Sequence, residues 1–431
     1  MRTFVAIAIF NFSLSASAEH LSSISCSNSN NIQPKNTLSV RWDSAEHSYL
    51  GDLALKNICA DMNVPANFCP VKFPRYDKKT SYTYGQMAAL GDFYKSGDHM
   101  FEETGSQNIS PGGMGNIFQC MDKEGKVMHE QRKYPEFNFP NCNWVFLLNS
   151  RQYVILAENN FDHFSWGAVK AYIREHSQAL QLARYSFDLR KQDKLNASDY
   201  YFRRAVFVNA VADHYLMDLF AAGHVDVPRL QVRQFAEGNL SGILKKLRGD
   251  AMSIVLHANN SRDQQLHEIG LAVVNPRGDT WWTHSDGHMM TCVADDMDQV
   301  IHMPTLAVQQ SLKDLYEALI DGKSIGEYKA LEYVPRSKSQ ILANKYKYVL
   351  TSDLNQKKKY IDQLKEAIPG PLKVITSNKD IELMIRNLPI IIQRYQEQIQ
   401  SDLSHNENLR KRMSSAVQSL WYLGDENDSG Q

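Results

Sequence analysis

The chain has 431 residues, of which 47 are basic and 48 acidic, giving a formal net charge of −1. So balanced a chain has no global field to attract a polyanion, which excludes a nucleic-acid binder working through a broad basic patch. Its length exceeds a typical single core, so one large domain with an appendage, or two domains, is expected.

Residues 1–18 place Arg2 before an apolar run from Phe4 to Leu14, interrupted by Asn11, and end on Ala16-Ser17-Ala18. This is the pattern of a signal peptide cut after Ala18, and the run is too short to span a bilayer. Passage through the periplasm and secretion follow as expectations. All six cysteines, Cys26, Cys59, Cys69, Cys120, Cys142 and Cys292, lie beyond that cut. An even count in an exported chain predicts up to three disulfides, with the pairing left open. None is spaced as CxxC, so a thiolate metal site is not expected. No other segment is apolar enough to cross a membrane.

Residues 19–41 are rich in Ser and Asn and read as a loose leader, with order beginning near Trp42. Helical spacing of apolar residues predicts helices over 45–60 and 84–94. Between about 96 and 150, Pro111-Gly112-Gly113, Gly115, Pro135, Pro140 and Cys142 predict a long, partly disulfide-tied loop region whose turns rim a site. Helical periodicity resumes over 168–190, 197–222 and 238–256, and 270–283 reads as two short strands around a turn. Residues 306–335 read as helical again, and Pro369-Gly370-Pro371 marks the clearest break. Beyond it, 381–403, kinked or divided at Pro389, and 409–422 are predicted helices. The expected organisation is a mainly α domain over 42–310 with a small β-hairpin insertion, followed by a helical C-terminal region over 311–431 that packs against it.

The stretch Ala212-Asp213-His214-Tyr215-Leu216-Met217-Asp218-Leu219-Phe220-Ala221-Ala222-Gly223-His224 spaces a His, an Asp and a His by four and then six residues. Residues four apart on a helix share a face, with Cβ atoms about 5–6 Å apart, so His214 and Asp218 can reach one cation. Gly223 is a natural helix stop, and His224 beyond it can fold back onto the same ion. Imidazole and carboxylate donors suit zinc, at about 2.0–2.2 Å. Alternatively, His214 and Asp218 form a surface pair and His224 merely follows the helix end.

Two further helices and one aromatic segment carry the same residue types. His47 stands near the start of the first helix. Asp92 sits between Leu90-Gly91 and Phe93-Tyr94, where a buried, unpaired carboxylate is costly and a metal or cationic partner removes the cost. A capping or turn role is the alternative for Asp92. In Asn160-Phe161-Asp162-His163-Phe164, His163 is either a ligand or a satisfied core histidine.

Taken together, these segments resemble the bacterial zinc-dependent phospholipase C family, within the superfamily that also holds the single-strand-specific P1-type nucleases. The similarity covers roughly residues 42–290 and is nearest to the secreted Legionella and Pseudomonas branch. Its most specific part is 212–229, with 42–52, 84–94, 160–163 and 270–281 in collinear order. The resemblance implies a phospholipase C/P1 nuclease-like helical bundle with three zinc ions at the floor of a cleft. It implies His47, Asp92, His163, His214, Asp218 and His224 as metal ligands, with Asp92 also the catalytic residue that orients or deprotonates the attacking water. Phe93, Tyr94, Phe161, Phe164 and Trp166 flank these positions and can line an apolar approach.

Two departures from the family pattern stand out. The family's mature N-terminal Trp gives its amino group and carbonyl to zinc, whereas Trp42 is internal. Either a second trimming after Arg41 or a different ligand is therefore required. The family's last His has an acidic partner four residues on, but His257 has Ser261 there, and His267 has Leu271 there with Glu268 adjacent. His257 is favoured as the ligand, with His267, Glu268 and Asp263 as alternatives.

The implied activity is that of a secreted zinc metallophospholipase C, with 42–310 as the catalytic domain. Acting in lipid degradation and virulence, it would cleave the glycerol-side phosphodiester of phosphatidylcholine-like lipids at a membrane surface, yielding diacylglycerol and a phosphorylated headgroup. The alternatives are a P1-type zinc nuclease or 3'-nucleotidase, against which the balanced charge stands, and an exported inactive member acting as a binding or toxin-accessory protein. The incomplete last ligand pair leaves that final reading open.

Overall fold

The computed structural model describes residues 44–102, 112–131, 142–150, 160–260, 270–284, 297–337, 351–365 and 370–422, with a few isolated positions between them. The signal-peptide and leader segments, Trp42, Cys26, Cys292, Asp263, His267 and Glu268 lie outside the described residues.

Two long helices, α6 (Ser165–Lys191) and α7 (Leu195–Asp218), form the central hairpin. The turn between them is tight enough to hold Asp193 at a left-handed φ of 57°. Around the hairpin pack α1 (Ser44–Asp61), the short α2 (Tyr84–Ala89) and α3 (Gly97–Glu102), and α10 (Met297–Asp321). Their apolar faces share one core that includes Ala54, Met87, Phe101, Val169, Phe207 and Leu312. Helix α10 runs unbroken through residue 310, so this core draws on residues either side of that position.

A second core lies between α8 (Arg229–Asn239), α9 (Lys245–Asn260), α11 (Leu354–Lys365), α13 (Asn378–Arg386) and α14 (Leu388–His405). Val232, Met252, Val255, Ile361, Met384 and Ile391 meet there. Three shorter helices, α12 (Gly370–Ile375), α15 (Glu407–Arg410) and α16 (Ser415–Tyr422), complete the C-terminal part.

The β structure is small. Strands β1 (Phe73–Pro74) and β2 (Ser81–Tyr82) pair antiparallel. Strand β3 (Leu271–Val274) lies between β4 (Thr280–Thr283) and β5 (Arg336–Ser337), with Ala272 opposite Trp282 and Val273 opposite Trp281. Leu271, Val273, Trp281 and Thr283 are buried, as alternation on a half-covered sheet requires. The chain is thus mainly α with a small β insertion, as its periodicities predict.

Several segments differ from expectation. The region from 96 to 150 is not a long loop: it holds α3, α4 (Gly113–Gln131) and α5 (Cys142–Asn149). Buried Ile117, Met121, Glu124 and Met128 recur at helical spacing in α4, and this face outweighs the glycine signals. Cys120–Cys142 ties α4 to α5, and Cys59–Cys69 closes the end of α1. The helix expected over 84–94 ends at Ala89 and continues as a 3-10 turn, Leu90–Asp92. The one expected over 238–256 starts only at Lys245, because Gly242 adopts φ 86° in the turn after α8. The division near Pro389 falls where expected, with Pro389 in the first turn of α14.

The approach to Asp92 is built from α1 and α2. Thr83 and Gln86 form a capping box at the start of α2, and Asp52 of α1 accepts from Thr83 Oγ1 (2.9 Å) and the Gly85 amide (2.7 Å). One residue into α2, the Tyr84 hydroxyl donates to Asp213 Oδ2 at 2.5 Å, and Asn209 Nδ2 donates to the same oxygen at 3.1 Å. Burial pushes the Asp213 carboxyl up to about 7. Removing the hydroxyl in Tyr84→Phe takes a donor from this buried carboxyl. The expected cost is about 1–3 kcal/mol, read as a lower denaturation midpoint at unchanged m-value.

Candidate metal centre

His47 comes from the first turns of α1, Asp92 from the 3-10 turn after α2, and His163 from the 3-10 turn Phe161–His163 that precedes α6. His214 and Asp218 occupy the last turns of α7, and His224 lies in the following turn. All six are buried. Asp218 is the hub: its Oδ1 is 3.2 Å from His47 Nε2, and its Oδ2 is 2.8 Å from His163 Nδ1 and 3.5 Å from His214 Nε2. Asp92 Oδ1 lies 3.6 Å from His214 Nε2 and 3.9 Å from His163 Nδ1. Two donor groups result, His47/His214/Asp218 and Asp92/His163/His214, each with its ligand atoms within 4.8 Å of one another.

Neither carboxylate pairs with a lysine or arginine among the described residues. The partners of Asp92 are Ser44, whose hydroxyl donates to Oδ2 at 3.3 Å, and histidines; those of Asp218 are histidines alone. Burial raises Asp92 to about 6. Burial also acts to raise Asp218, but the histidines around it, with His163 and His47 hydrogen-bonded to its two oxygens, outweigh it and hold this carboxyl well below its usual range. Burial lowers His214 well below the ordinary histidine value, leaving its ring neutral with a lone pair to give. A buried set of imidazoles and carboxylates fits a divalent cation, whose positive charge no lysine or arginine among the described residues brings to these carboxylates.

His224, expected as a ligand, belongs to neither donor group, its Nδ1 lying 3.9 Å from Asp218 Oδ1. Its Nδ1 donates to the carbonyl of His163 at 2.6 Å, which fixes the tautomer and leaves Nε2 as the electron-pair donor, an orientation common for metal-binding histidines. Phe164 stacks face to face on its ring, with centroids 4.4 Å apart, and the Arg229 guanidinium lies 4.9 Å over the Phe164 ring. Burial lowers Arg229 to about 10, still cationic at neutral pH.

His257, from α9, places its ring 5.2 Å from that of His224 and outside both donor groups. Two glycines let these rings approach: a Cβ at Gly91 would stand 2.4 Å from His214 Cγ, and one at Gly223 would stand 2.4 Å from His257 Nε2. Of the aromatic residues flanking the ligands, Phe93, Tyr94 and Trp166 are buried packing. Phe93 stacks on Tyr153, and Trp166 meets Trp421. The sequence reading missed Ser44, which only the fold of α1 against α2 brings to Asp92, and a serine at a helix start reads simply as a cap. It also missed Arg229 as an individual residue.

No known protein family, curated protein or solved structure matches the chain.

Replacing the hub in Asp218→Ala should lower affinity for a divalent metal by more than about a hundredfold, read by elemental analysis after dialysis. Full metal stoichiometry in that variant would remove Asp218 from the ligand set. Gly91→Ala should also lose metal, because the added methyl displaces His214, while Gly115→Ala, whose Cβ would meet open space, should keep it.

Proposed function

We propose that the chain is an exported zinc-dependent phospholipase C, cleaving phosphatidylcholine-like lipids on the glycerol side of phosphorus. The observation that carries this reading is the pair of donor groups that share His214, with Asp218 turning one oxygen toward His47 and the other toward His163 and His214. A carboxylate so placed can serve two cations close together, the arrangement used for in-line displacement at phosphorus. The collinear segments that resemble the zinc-dependent phospholipases supply these donors, on a mainly helical fold.

An imidazole-rich donor set with carboxylates and no thiolate favours zinc, held by His47, Asp92, His163, His214, Asp218 and His224, with His257 the nearest further histidine. Zinc bound there would lower the pKa of water toward neutrality and neutralise charge growing on the phosphoryl oxygens. Asp92, steadied through Oδ2 by Ser44, keeps Oδ1 toward the histidines, where it can orient the attacking water and take its proton. As the water oxygen bonds to phosphorus, the bond to the diacylglycerol oxygen breaks. The Phe164 ring, stacked on His224, walls one side of the group and limits water there.

The test gives equal amounts of protein to phosphatidylcholine and to single-stranded DNA, before and after chelation and with zinc restored. Release of diacylglycerol that EDTA abolishes and zinc restores is the expected result. Faster cleavage of the DNA would instead favour the nuclease, and a metal-free chain without phosphodiesterase activity the inactive binding protein. Asp92→Asn should lower kcat by about 10²–10⁴-fold.

A further inference from the structure

Two residues that are not glycine hold a left-handed backbone beside the metal centre, Ser165 at φ 51° and Asp226 at φ 55°. Each stands two positions after a histidine proposed as a ligand, Ser165 after His163 and Asp226 after His224. A side chain makes that conformation uphill, so it persists only where surrounding contacts impose it. At both positions, hydrogen bonds from the part of the chain beyond residue 310 reach the strained residue.

Tyr395, buried on α14, reaches the first. Its hydroxyl is hydrogen-bonded to Ser165 Oγ, and its oxygen accepts from the Trp166 amide at 3.3 Å. Seven residues further along α14, and so on the same helix face, Asp402 Oδ2 accepts from Trp166 Nε1 and from Lys170 Nζ, each at 2.8 Å. These bonds seat α14 along the start of α6. The second strained residue is gripped through both carboxylate oxygens: Asp226 Oδ1 accepts from Arg336 Nε at 2.5 Å, and Oδ2 from the Ser337 amide at 2.9 Å. The two grips are joined, since the Arg336 guanidinium lies 4.2 Å over the Trp421 ring and Trp421 packs against Trp166.

We propose that Tyr395 and Arg336 are positioning residues for the metal centre, clamping the two left-handed turns so that His163 keeps its ring toward Asp218. Both grips meet at His163. Ser165 sets the joint between the 3-10 turn Phe161–His163 and α6, and Gly167 lets that turn lie close on the helix, because a Cβ there would stand 2.2 Å from the Phe161 carbonyl oxygen. Asp226 fixes the turn from which His224 Nδ1 donates to the His163 carbonyl at 2.6 Å. Were Ser165 to relax to the right-handed region, the 3-10 turn would swing at this joint and withdraw His163 Nδ1 from Asp218 Oδ2, now 2.8 Å away. A ligand that must be ordered as metal binds lowers affinity, and one already held does not. The inference rests on the metal centre alone and not on the phospholipase reading.

The experiment compares the full native chain with Tyr395→Phe, which removes the hydroxyl and keeps the ring, and with Arg336→Gln. Zinc affinity is read by competition with a chromophoric chelator, and ligand geometry by the visible spectrum of the cobalt-loaded protein. Each variant should bind zinc about tenfold more weakly and shift the cobalt bands. Tyr316→Phe strips another buried hydroxyl, which donates to the Phe68 carbonyl at 2.9 Å from a helix that contributes no proposed ligand. That variant should lower the thermal midpoint and leave zinc affinity and cobalt spectrum unchanged. Adding Ser165→Gly to Tyr395→Phe should recover part of the lost affinity, because glycine takes the left-handed φ without the clamp. Unchanged affinity and spectrum in either clamp variant, an equal loss in Tyr316→Phe, or no recovery with Ser165→Gly overturns the proposal. A chain that shows the expected shifts but leaves phosphatidylcholine intact keeps the clamp and removes the phospholipase reading. One that hydrolyses phosphatidylcholine with zinc, and whose Tyr395→Phe form binds zinc as tightly as the native chain, does the reverse.

Discussion

Two carboxylates, Asp92 and Asp218, are buried among histidines, with no lysine or arginine among the described residues to answer their charge. Isolated ionised carboxylates inside a protein cost several kcal/mol each, so they persist only where protons, hydrogen bonds or a cation compensate them. Here the compensation is divided. Asp92 rises toward protonation, Asp218 stays ionised against its histidines, and His214 stays neutral. A divalent cation would satisfy all three conditions at once, and the buried His and Asp donors are close enough together to hold one.

Much of the fold serves to bring those groups together. Separate chain segments converge on the centre, and local devices hold several of them in place. The capping box and Asp52 seat α2 on α1, Tyr84 and Asn209 lock α2 to α7 through Asp213, and the His163 carbonyl orients His224. Gly91 and Gly223 remove the methyl groups that would keep two imidazoles out. Helices suit this task because they hold side chains in fixed directions, so a centre assembled from several of them has little freedom to adjust. The second core lies where α8 and α9 meet the C-terminal helices.

Some of this was legible in the sequence, and for identifiable reasons. His214 and Asp218 were readable because helix spacing alone puts residues four apart on one face. Asp92 was readable because an acid between apolar pairs signals an unusual burial. The strand pair over 270–283 followed from alternation around an Asn-Pro-Arg-Gly-Asp turn. Ser44 was not readable, since its role exists only across the α1–α2 contact. The helices between 96 and 150 were hidden because Gly and Pro punctuate that stretch, whereas the apolar face of α4 emerges only once a partner surface covers it. Strand β5 was hidden as well, being two residues long and paired with a strand more than sixty residues earlier.

The sequence by itself determined which residues can donate to a cation, the mainly helical character, and the break points at Gly and Pro, because these depend on side-chain chemistry and on spacing within one element. Only the tertiary structure decided that His47, Asp92, His163, His214 and Asp218 share one buried volume, that His224 stands at its rim and His257 outside it, and which oxygen of Asp218 faces which ring. Those facts depend on the packing of helices far apart in the chain. No local pattern encodes the distance between side chains on different elements.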